Sequence, residues 1–166
     1  DWSSDVCSSD LLNMEFDIID HQEWHTEEDF PADLTPVHAL THMGMYFEWA
    51  AHKKLLHPNV AEQLAKALAQ LEQREITGRD IVEQALGKQL LLSFFNEQGQ
   101  RFTAYYYADD DDGYGQFLSD YVTTLRTDLL PSFYHVDNSQ AAYDAIASQF
   151  DIAYARWSDS LRDTAS

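Results

Sequence analysis

The sequence predicts an all-α fold: a single-domain bundle of about six helices behind an irregular, acidic N-terminal lead-in. Three observations carry that expectation. Apolar residues recur at spacings of three and four through most of the chain. The length, 166 residues, falls within the roughly 100–200 typical of one domain. No internal repeat or domain-separating linker interrupts the sequence. A composition 45% hydrophobic and 13% aromatic supplies enough apolar area to fold, which argues against disorder.

The first thirteen residues, rich in Ser and Asp with no Lys or Arg, read as a non-native or disordered tail. They resemble translated adapter sequence, which would make Met14 the natural start and strip Cys7 of meaning. Trimming Asp1, Asp5 and Asp10 from the 29 acids leaves 26 against 10 bases, a net charge of −16. The domain is then expected over 14–160, with a short tail over 161–166.

Residues 14–36 form the lead-in, where Pro31 and Pro36 remove backbone donors and disfavour a long helix. Thr35-Pro36 opens the first strong helix, with Thr as cap and Pro at the first helical position. Val37, Leu40, Gly44, Phe47 and Ala51 mark one face, and Met43, Met45, Tyr46, Trp49 and Ala50 spread apolar character around the cylinder. Such a helix is expected at the centre. Gly44 within it costs about 1 kcal/mol relative to Ala, which points to a close crossing by another element.

Asn59-Val60-Ala61-Glu62 resembles a capping box and starts a second helix with Leu64, Ala67, Leu68 and Leu71. Thr77 caps a third that carries Ile81, Val82, Ala85 and Leu86, with Asp80 near its positive end. The run Leu90 to Phe95 is ambiguous by period and leans toward a helix–loop transition. A fourth helix over 96–107 should turn Phe102, Tyr105 and Tyr106 inward. Four aspartates and two glycines over 109–115 break it. A fifth helix, 116–127, places Leu118, Tyr121, Val122 and Leu125 on one side, and 129–136 is an extended connector. Asn138 or Ser139 caps the last helix, 139–160, with Ala142, Ile146, Phe150, Ala153 and Trp157 spaced for burial.

Composition also excludes functions. A net charge of −19 opposes unassisted binding to nucleic acid or anionic membranes. No stretch approaches the ~18 apolar residues of a spanning helix. One cysteine rules out a disulfide framework or a Cys-based zinc site. With no basic, apolar leader, the expected compartment is the cytoplasm.

Two constellations suggest chemistry. His38 and His42, four apart on the first helix, have a spacing that suits a divalent ion, with His25, Asp29 or Glu48 available to complete a site. The favoured reading is instead that His38 is a partial cap and His42 a hydrogen-bonded core histidine. The second is the run Asp109, Asp110, Asp111 and Asp112, flanked by Tyr107 and Tyr114. Placing Gly113 at the sixth position of a calcium loop puts Ala108 at the first and Ser119 at the last, so both end ligands fail. The run suits a docking surface for a basic partner better, with aromatics for anchoring and charge for rapid encounter. No nucleophile elbow or phosphate loop occurs, and no metal or other cofactor is expected.

Trp24-His25, Asp29-Phe30-Pro31-x-Asp33-Leu34, then Thr41-His42-x-Gly44-Met45-Tyr46-x-x-Trp49, resemble the motifs of a family of small bacterial domains of unknown function. Phe117-Leu118-Ser119-Asp120-Tyr121 and Pro131 to Val136 are similar to its later segments. The resemblance brings no activity with it. Small acidic domains of this kind are often encoded beside secreted toxins as immunity proteins.

The expectation is therefore a non-enzymatic, acidic binding module. It would occlude a basic protein, such as a co-encoded toxin, through Asp109, Asp110, Asp111, Asp112 and Tyr114. A secondary cluster, Trp24, His25, Asp29 and His42, is expected to tie the lead-in to the central helix through a buried histidine hydrogen bond. The alternative is a metal-binding bundle or metal-dependent enzyme using His38 and His42.

Overall fold

A computed structural model describes residues 18–27, 30–107 and 115–165. Their architecture is mostly helical. A short strand β1 (Ile18–His21) runs into α1 (Gln22–Thr26), and a 3₁₀ turn (Pro36–Leu40) leads into α2 (Thr41–His52). There follow α3 (Pro58–Gln63), α4 (Ala65–Glu72), α5 (Gly78–Gln84), β2 (Gln89–Leu91), α6 (Glu97–Tyr106), α7 (Gly115–Thr124) and α8 (Gln140–Ala165). β1 and β2 pair antiparallel, with Asp20 opposite Leu90. Among the described residues no helix is long and apolar enough to cross a membrane.

α2 is the centre its composition called for: all ten residues from Thr41 to Ala50 are buried. Tyr46 and Trp49 pack against Phe102, Tyr106, Phe117 and Phe150 from α6, α7 and α8. The crossing implied by Gly44 is made by α5, whose first residue is also glycine. A Cβ on Gly44 would lie 2.3 Å from the Arg79 backbone nitrogen, and one on Gly78 would lie 2.0 Å from the Gly44 carbonyl oxygen. Backbone meets backbone there, and Gly78 N–H donates to Glu48 Oε1 across the joint at 3.1 Å. Thr77 caps α5 with a reciprocal box in which Asp80 accepts from the Thr77 N–H and Thr77 Oγ1 from the Asp80 N–H.

Several local expectations are corrected. The lead-in is not irregular throughout, since it holds β1 and α1. Thr35 makes no capping bond to the backbone, and the chain enters α2 through the 3₁₀ turn instead. The second helix breaks at Leu64 into α3 and α4, and His57, not Asn59, caps its start by accepting from the Asn59 N–H. Leu90-Leu91 joins a strand because β1 offers a partner that no local pattern could reveal. Tyr105 points outward, 55% exposed, while Phe102 and Tyr106 turn in as expected. The fifth helix, α7, ends at Thr124 rather than at 127, a 3₁₀ turn (Thr127–Leu129) follows it, and the connector coils into a second (Phe133–His135) instead of staying extended. Ser139 is the side chain that caps α8, accepting from the Ala142 N–H, and α8 runs on to Ala165.

An aspartate-centred cleft as candidate functional site

Strand alternation places Asp20 on the inner side of β1, where it is buried. The chain turns at once: His21 caps α1 by accepting the Glu23 N–H on its Nδ1 at 3.1 Å. One helical turn later His25 comes round to face Asp20. His42, in the first turn of α2, and Tyr107, at the C-terminal end of α6, reach the same carboxylate.

Asp20 accepts four hydrogen bonds, one of them from the His21 backbone N–H to Oδ1 at 2.9 Å. His25 Nε2 lies 2.6 Å from Oδ1, His42 Nε2 2.8 Å from Oδ2, and the Tyr107 hydroxyl 2.5 Å from Oδ2. An ionised carboxylate can only accept, so each imidazole carries its proton on Nε2. His25 Nδ1 is then an acceptor for the Tyr134 hydroxyl, 2.8 Å away. Tyr134, His25 and Asp20 thus form a continuous hydroxyl–imidazole–carboxylate chain, with one-fifth of the His25 side chain exposed.

The electrostatics favour a charged Asp20 beside a neutral His42 and a neutral Tyr107. Burial opposes the charge on Asp20, but His42 and the hydrogen bonds from both imidazoles outweigh it and hold the carboxyl well below the usual range. Burial drives His42 below the ordinary imidazole value, with the Asp20 charge opposing only in part. The Tyr107 hydroxyl is pushed far up by burial and by the neighbouring anion, so it remains a donor.

Above this polar floor opens a cleft of about 590 Å³, walled by Ile19, Phe117, Leu118, Val122 and Phe133, with Trp24 at its edge. Trp24 is 57% exposed, a groove residue where Trp49 and Trp157 belong to the core. The volume lies within the range of small-ligand sites, roughly 300–1,000 Å³. Three of its polar residues, Asp20, His25 and His42, present donor atoms within 4.8 Å of one another, a set able to hold a metal ion.

Of the residues singled out from sequence, Trp24, His25 and His42 come together here. The buried histidine bond tying the lead-in to the central helix exists, and its acceptor is Asp20. Asp29 lies outside the described residues, as do Asp109, Asp110, Asp111, Asp112 and Tyr114. His38 does not join His42: its Nδ1 lies 3.2 Å from both Oγ1 and the carbonyl oxygen of Thr35, in the turn before α2. Glu48 faces Gly78 and His52 instead. Sequence reasoning missed Asp20 and Tyr134, and it set Tyr107 beside the aspartate run as a docking aromatic rather than on Asp20. An acid directly after Ile18-Ile19 was the available signal, hidden by treating the lead-in as structureless.

A helical domain with a ring-lined cleft over a buried Asp–His–Tyr cluster is thus the class that fold and site define. The chain belongs to the family described as a domain of unknown function, DUF7832, whose model matches residues 18–136. That span starts at β1 and contains every residue of the cleft. No curated protein and no solved structure matches the chain.

Proposed function

We propose that this domain binds a small organic ligand in the Asp20 cleft. An apolar ring of the ligand would lie among Trp24, Phe117 and Phe133, with one polar group directed at His25 and Tyr134. The supporting observation is the convergence of a ligand-sized apolar cleft on a buried, charged carboxylate and its donors. A purely structural carboxylate has no need of an open ring-lined space above it. Titrating phenol, indole and a set of ring-bearing amides while following the Trp24 indole resonance tests the reading. Saturable shifts confined to the cleft, weakened about 5-fold or more by Trp24→Ala, are expected from the loss of aromatic contact area. Finding no saturable ligand across such a set would refute it.

A second reading rests on the charge. At −19 overall, the chain presents a field suited to a basic protein partner such as a co-encoded toxin. Asp109, Asp110, Asp111, Asp112 and Tyr114 would form the contact, and no chemistry would be needed of the domain. Attraction of this kind speeds association by 10–10³ and fades with salt. An association rate for a neighbouring gene's product that is unchanged between low and molar salt would contradict it.

A further inference from the structure

We infer that Asp20, His25 and His42 are the protein ligands of one divalent transition-metal ion, exposed to the cleft on its open side. The inference concerns the same cleft as the ligand reading and adds a cofactor to it.

The geometry is close to that of a coordination shell. With metal–ligand bonds of about 2.0–2.2 Å and angles of about 90–110°, neighbouring donor atoms sit about 2.9–3.5 Å apart. Here the His25 and His42 nitrogens approach the carboxylate oxygens to 2.6 and 2.8 Å, so modest side-chain rotations admit an ion between them. Two imidazoles bound side by side through nitrogen to one ion put their ring centres about 4.5–5.2 Å apart. His25 and His42 are 4.7 Å apart, inclined at 75°.

The surroundings supply what such a shell needs. Tyr134 meets the far nitrogen of His25, and Tyr107 meets an Asp20 oxygen. These are the outer hydrogen bonds that orient metal ligands and set their basicity. On binding, each imidazole gives up its Nε2 proton and holds one on Nδ1 instead, with no net release. For His25 the hydrogen bond to Tyr134 then persists with its direction reversed. Two imidazoles and one carboxylate favour Zn²⁺, Fe²⁺, Mn²⁺ or Co²⁺ over Mg²⁺ and Ca²⁺. Three protein ligands leave coordination positions for water or a ligand donor on the cleft side.

The test uses tag-free protein stripped with chelator, titrated with Zn²⁺ by calorimetry and with Co²⁺ by visible absorption. One equivalent per chain, ligand-field bands, and shifts of the His25 and His42 ring nitrogens in ¹⁵N spectra are expected. Loss of binding in His25→Ala, about 10-fold weakening in Tyr134→Phe, and no change in His38→Ala complete the pattern. Sub-stoichiometric uptake, or ring resonances of His25 and His42 that ignore the metal, would overturn the inference even if a variant failed to fold. Ring fragments that bind metal-free protein while Zn²⁺ does not would remove the metal and keep the ligand reading. Zn²⁺ binding with no fragment bound would do the reverse.

Discussion

Asp20 is a buried anion answered by four hydrogen-bond donors, two of which, His42 and Tyr107, arrive from far along the chain. Its replacement by Asn keeps the shape, removes the charge, and presents an N–H₂ group to donors that need an acceptor. A loss of about 1–3 kcal/mol in unfolding free energy is expected, readable by urea denaturation. Stability should also depend on pH through His42. Its folded pKa lies below the ordinary 6.5, so the unfolded chain binds the proton more readily. The stabilising contribution is therefore complete above about pH 6.5 and declines as pH falls toward the folded value. Asp20 adds a second decline below about pH 4, because its folded pKa is also depressed. Thermal midpoints recorded between pH 8 and pH 5 should fall, and His42→Gln should flatten that first limb. The two histidines were legible because helical spacing and a nearby tryptophan drew the eye to them. Asp20 was not, since one acid among 29 carries no mark in the sequence of the partners it will meet.

At the level of elements, the joint of α2 and α5 is the most demanding contact. Exposed helical Gly→Ala changes stabilise by about 1 kcal/mol through propensity, but here the added methyl would enter the Arg79 backbone. Gly44→Ala should therefore destabilise by about 1–3 kcal/mol, and its chemical-shift changes should centre on α5. Thr77→Ala removes the cap that aims α5 at this joint, for an expected loss of about 1 kcal/mol in the same assay. Central α2, the α5 cap and the buried stripe of α8 were readable because each is encoded within a few neighbouring residues. The strand at Leu90-Leu91, the break at Leu64 and the outward turn of Tyr105 were not. The strand depends on a partner distant in sequence, β1, and a local period cannot distinguish a strand's partner from a helix's.

For the whole molecule, composition anticipated an aromatic-rich helical core, and the packing of Tyr46 and Trp49 among Phe102, Tyr106, Phe117 and Phe150 shows it. The surplus of negative charge predicts that any association with a basic protein slows about 10-fold or more between low salt and 1 M salt, where screening acts within about 3 Å. Stopped-flow mixing with a candidate partner measures this directly. The pairing of β1 with β2 gives the molecule a further property. β1 both lines the cleft, through Ile19, and carries its central anion, Asp20. A chain shortened to begin at Gln22 would retain the sequence of all eight helices described here, yet His42 and Tyr107 would face an empty place where their common acceptor stood. Such a shortened chain should show weakened amide protection along Gln89–Leu91 in hydrogen exchange, because half of that ladder would be missing.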